Sequence, residues 1–90
     1  MMSTFAIEYH SCYAYLFYDF KRTKKCLTDD ELAQIDAIAK KYVTMGCGID
    51  KRSHHTQSRT FGHIIVHRAY IPALLDELLP VFEKITSTKL

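Results

Sequence analysis

The segment LTDDELAQIDAIAKKYVTMGCG, residues 27–48, constrains the fold more than any other. Thr28 and Glu31 have the spacing of a capping box, in which the two side chains satisfy each other's backbone N–H groups at a helix start. Leu27 and Leu32 flank that start at the spacing of a hydrophobic staple, acids fill the first turn, and Lys40 and Lys41 lie where they oppose the negative end of the helix dipole. Leu32, Ile35, Ala39, Tyr42 and Met45 recur at helical spacing, and Gly46 or Gly48 can close the C-terminus. The segment predicts a helix over about 29–45.

A second helix is predicted over about 71–86, where Ile71, Leu74, Leu75, Leu78, Phe82 and Ile85 share one side and Pro72 suits the first turn. Leu79 and Val81 widen its apolar face. That width fits either a deeply packed core helix or one that meets a partner or a second copy of the chain. Pro80 removes the hydrogen bond to the Asp76 carbonyl and predicts a kink or break.

RTFGHIIVHR contains three consecutive β-branched residues, Ile64, Ile65 and Val66, and predicts a strand over 60–68. Near the N-terminus, Phe5, Ile7 and Tyr9 alternate with Ala6, Glu8 and His10, and the run YAYLFYDF follows. Phe5, Tyr9, Tyr13, Leu16 and Phe20 also match a helix, but the aromatic content favours a strand or hairpin with a turn near His10–Cys12. Residues 47–58 read as an irregular or extended piece. The order predicts a single α+β domain over residues 1–90, a two-layer sandwich in which two helices cover one face of a small, mainly antiparallel sheet.

A chain of 90 residues supports only a thin core. Its 48% hydrophobic and 24% charged residues are those of an ordinary globular domain. The apolar run FAIEYHSCYAYLFYDF is interrupted by Glu8, His10 and Asp19, which a membrane-crossing segment would leave unsatisfied, and it lacks the pattern of a secretory leader. Cys12, Cys26 and Cys47 are odd in number and form no CxxC pair, so reduced thiols and a cytoplasmic setting are expected. The net charge of +2 is mild for a nucleic-acid binder, but positive charge gathers in KRTKK and in 50–68.

DKRSHHTQSRTFGHIIVHR, residues 50–68, holds four of the five histidines. His63 and His67 would chelate a metal on a helix, but on a strand they stand ~13 Å apart, at ~3.3 Å per residue. No metal and no cofactor is expected. Strand alternation places Arg59, Phe61, His63, Ile65 and His67 on one face, and that face is open if the helices cover Ile64 and Val66. No P-loop, GxSxG, HExxH or dinucleotide fingerprint is present.

Short length and missing catalytic motifs lead to the expectation of a non-catalytic binding protein acting stoichiometrically on a protein partner. It would be an adaptor or inhibitor of the compact kind that phages and other mobile elements encode. The expected contact residues are Arg52, His54, His55 and Arg59 in a basic loop, His63 and His67 on the strand, and Lys21, Arg22, Lys24 and Lys25. The partner surface would be acidic, and the helix over 71–86 would be a dimer contact. One alternative is an RNA- or DNA-binding module using loop 50–59 and the aromatics Tyr9, Tyr13, Tyr15 and Phe61. A second is a metal-independent ribonuclease with His54 and His55 as acid and base.

Overall fold

The computed structural model describes residues 4–20, 26–44 and 53–89. Strands β1 (Thr4–Tyr9) and β2 (Tyr13–Asp19) form a hairpin, followed by helix α1 (Asp29–Val43). Strands β3 (His54–Gln57) and β4 (Phe61–His67) form a second hairpin, and a 3-10 turn over Arg68–Tyr70 leads into helix α2 (Ile71–Lys89). The sheet is antiparallel throughout, in the order β1-β2-β4-β3. This is the α+β sandwich that the sequence predicts.

β2 and β3 run parallel with β4 between them, so β2-α1-β3 is a split βαβ unit. Cutting the chain between β1 and β2 and joining its ends would give the order βαββαβ. In that order β1 would follow α2 rather than precede β2.

Alternation decides which side of the sheet is covered. Ala14, Leu16 and Tyr18 on β2, and Ile64 and Val66 on β4, are buried under the helices. The register aligns the two sets, with Ala14 opposite Val66, Leu16 opposite Ile64, and Tyr18 opposite Gly62. Helix α1 begins with the expected capping box: the Glu31 N–H donates to Thr28 Oγ1 at 3.2 Å and the Thr28 N–H to Glu31 Oε1 at 2.8 Å. It buries Ile35, Ala39 and Tyr42.

Helix α2 buries Ile71, Leu74, Leu78, Phe82 and Ile85. Phe82 packs against Tyr18 and Phe20 with ring centroids 5.3 and 5.4 Å apart, and truncating such a side chain costs ~3–5 kcal/mol. Leu75, Leu79 and Val81 also pack against the core, so the wide apolar face serves the interior. The large apolar side chains left exposed among the described residues are Tyr9, Phe17 and Phe61, all on strands. Nor does Pro80 break the helix, which runs through it to Lys89. Pro80 lies on the exposed side, where a missing N–H leaves the Asp76 carbonyl to solvent.

Lys41 and Tyr42 of α1 both donate to the Glu77 carboxylate of α2 and join the two helices at their outer edge. The Lys41 contact, with that of Tyr42, holds the Glu77 carboxyl below the usual carboxylate range, and the same bond raises the Tyr42 phenol. Among the described residues, no helix is long and apolar enough to cross a membrane.

Candidate functional site

The face of the sheet that neither helix covers is built from the alternate residues of each strand, and on it Tyr13 and Ile65 are nonetheless buried. Across its middle run Ala6, Phe17, His63 and Thr56 in register, and beside them Glu8, Tyr15, Ile65 and His54. The rings form a continuous strip: His10 against Tyr15 at 4.7 Å between centroids, Tyr15 against Phe17 at 6.2 Å, Phe17 against His63 at 6.0 Å, and His63 against His54 at 5.3 Å. Phe17 and Phe61 are 40% and 48% exposed, which is unusual for side chains that gain so much from burial. They border an open depression of about 230 Å³ that Ala6 and Asp19 line from the same row and Phe5, Tyr18 and Gly62 from the neighbouring, helix-covered one.

Charge on this face is sparse. Its described strand positions carry Glu8 and Asp19 but no Lys or Arg. Glu8 lies 2.8 Å from His10 Nε2. At the far end Arg68 stacks over the Tyr9 ring at 5.1 Å and donates to the His10 carbonyl at 2.9 Å, bridging the sheet's end rather than its face.

Residues 54–57 form a strand where the sequence reads as a basic loop. HHTQ has little strand propensity of its own, and its backbone is instead held by pairing with β4 and by the turn in which the Ser58 N–H donates to the Phe61 carbonyl at 2.8 Å. Once 54–57 is a strand, adjacent histidines must face opposite ways. His54 is exposed on the open face, whereas the His55 side chain is 2% exposed beneath α1. His55 is therefore no surface contact residue, and the pair cannot converge on one phosphate as acid and base.

His55 is the centre of an enclosed polar network. Its Nδ1 lies 2.9 Å from Asp36 Oδ1, and its Nε2 lies 2.8 Å from the Tyr18 hydroxyl. Gln57 Oε1 is 3.3 Å from that hydroxyl, and Gln57 Nε2 donates to the Leu32 carbonyl at 3.3 Å. Burial pushes the His55 imidazole below its usual value against the opposing pull of Asp36. The imidazole bond in turn lowers the Asp36 carboxyl, which Lys40 also steadies at 3.2 Å. Burial, with the Asp36 charge, raises the Tyr18 phenol. A neutral His55 then donates from Nδ1 to Asp36 and accepts the single Tyr18 proton at Nε2, leaving Gln57 the longer, weaker contact.

Arg59 is also redirected. The turn over 58–60 ends the alternation that would place it beside His63, and its guanidinium donates to Asp29 at 2.6 Å and to the Leu27 carbonyl at 3.4 Å. It thus braces the start of α1. His67 keeps the predicted face, but its Nδ1 accepts from the Ala69 N–H at 3.2 Å and caps the 3-10 turn. His63 lies on the open face as predicted. Lys21, Arg22, Lys24, Lys25 and Arg52 lie outside the described residues.

Phe17 and His10 belong to the strip without having been singled out in the sequence. The signal was available in YAYLFYD: with Leu16 and Tyr18 inward, Phe17 must face outward.

The chain matches no known protein family, no curated protein and no solved structure. No group of three or more metal-ligating side chains occurs among the described residues.

Proposed function

We propose that the chain is a non-catalytic binding protein that engages a protein partner stoichiometrically, as an adaptor or inhibitor, through the open face of its sheet. The observation that carries this reading is the pair of exposed rings, Phe17 and Phe61, bordering a depression on a face whose described positions have no Lys or Arg. Aromatic side chains around a concave patch are the usual anchors of a protein interface.

Nucleic acid is the rival occupant, because rings on the two central strands of a four-stranded sheet can stack bases. Phosphate binding, however, draws its affinity from Lys and Arg. Cys12 and Cys26, exposed and unbonded, suit a reducing compartment such as the cytoplasm.

The test uses the full chain as bait in a cell extract, with and without nuclease, beside the double variant Phe17→Ser/Phe61→Ser. The reading expects a defined protein partner at fixed stoichiometry, retained after nuclease and lost with the double variant. Nuclease-sensitive association would transfer the face to RNA or DNA. A partner retained by the double variant would place the interface elsewhere.

A further inference from the structure

The β3–β4 hairpin brings His54 and His63 together on the open face, with their Nε2 atoms 3.3 Å apart and their ring planes at 81°. The residues are not directly opposite. His63 pairs with Thr56, and His54 pairs with Ile65, so the two imidazoles meet on the diagonal of one sheet face. Their convergence is what a single tetrahedral ion requires. Two nitrogens bound to zinc at ~2.05 Å stand ~3.3 Å apart, and the ring centroids then fall ~5.2 Å apart. The observed centroid separation is 5.3 Å.

We propose that His54 and His63 form a two-nitrogen chelate for Zn²⁺, with the remaining positions open to water or to an outside donor. The scaffold holds the donors in place: the tight Ser58–Phe61 turn fixes the hairpin, and the Phe17 ring packs against His63 at 6.0 Å. Both ligands present Nε2, and neither is the enclosed His55. The site does not depend on the protein-binding reading, because it needs only the geometry of one hairpin.

Two neutral imidazoles sharing one proton would adopt the same distance, and a metal titration separates the cases. The experiment is a Zn²⁺ titration of the full chain with all three cysteines replaced by serine, followed calorimetrically and by NMR of the histidine side chains. The expected result is one Zn²⁺ per chain, with ring resonances of His54 and His63 shifted and those of His67 unmoved. His54→Ala and His63→Ala should each weaken binding by more than about tenfold, while His67→Ala and His10→Ala leave it unchanged. Binding should also fail at acid pH, where protons compete for the same nitrogens. Absence of binding up to millimolar Zn²⁺, or binding indifferent to both His54→Ala and His63→Ala, would overturn the proposal and leave a proton-sharing pair.

Discussion

Gly62 on β4 leaves the space that the Tyr18 hydroxyl on β2 occupies. The two residues are cross-strand partners, and a β-carbon at position 62 would overlap the phenol and stand 2.7 Å from the Thr56 carbonyl oxygen. The missing side chain lets Tyr18 lie across the sheet and reach His55. Gly62→Ala should therefore destabilise the protein by ~1–3 kcal/mol in urea unfolding, as overpacked cores do. Tyr18→Phe in the same chain should recover part of that loss by removing one of the overlapping atoms. A Gly62→Ala variant as stable as the parent would mean that the phenol sits elsewhere.

The His55 network makes a signed prediction about pH. Enclosure lowers the imidazole from its ordinary value of 6.5, so just below that pH the unfolded chain binds a proton that the folded chain does not. The stabilisation is complete above the unfolded value and is lost as pH falls through the folded one. Asp36 adds loss in the same direction further down, below its ordinary 3.8. Urea midpoints should thus fall between pH 7.5 and 5, and the fall should be shallower in His55→Gln, whose pH 7.5 stability is already reduced by ~1–3 kcal/mol. Equal slopes in the two proteins would show that His55 titrates as freely as an exposed imidazole.

Pro80 offers the opposite kind of test, a substitution expected to strengthen the fold. It lies on the exposed side inside α2, where it supplies no N–H for the Asp76 carbonyl. Pro80→Ala restores that bond and improves helix propensity, and the thermal midpoint should rise by an amount corresponding to ~1–3 kcal/mol. A lower midpoint would show instead that the proline sets the angle at which Phe82 meets Tyr18 and Phe20.

The two phenylalanine environments should separate interface from core. Phe61 is 48% exposed and Phe82 is 1% exposed. Phe61→Ser should alter stability by less than ~1 kcal/mol, whereas Phe82→Ala should remove ~3–5 kcal/mol and leave the small domain largely unfolded. Calorimetry of both variants gives the comparison directly. A large loss at Phe61 would assign it to structure and weaken the case for an open binding face.

Local signals carried the parts of this fold that local physics decides. The Thr28–Glu31 box, the periodic stripe of α2 and the β-branched run in β4 each determine their element within a few residues. The polar strand β3 does not, because HHTQ becomes a strand only through β4, which follows it in the chain. The site shared that difficulty. HxxxH at His63 and His67 is visible as a spacing, while the true neighbours His54 and His63 meet only after the hairpin has closed. Arg59 shows a third case, in which a turn interrupts the alternation that would have assigned its direction.

The order of the elements, with β1 and β2 well before α2, bears on how the protein is made. Synthesis releases the β1–β2 hairpin before α2, yet the inward side of β2 is covered only when Ile64 and Val66 arrive beside it and Phe82 arrives over it. At ~5–20 residues per second the nascent chain therefore spends seconds with Leu16, Tyr18 and Phe20 uncovered, a state prone to association with other chains. A chain cut short before α2 would carry the whole sheet and α1 yet leave Tyr18 and Phe20 without Phe82, so those first strands depend on a helix made long after them.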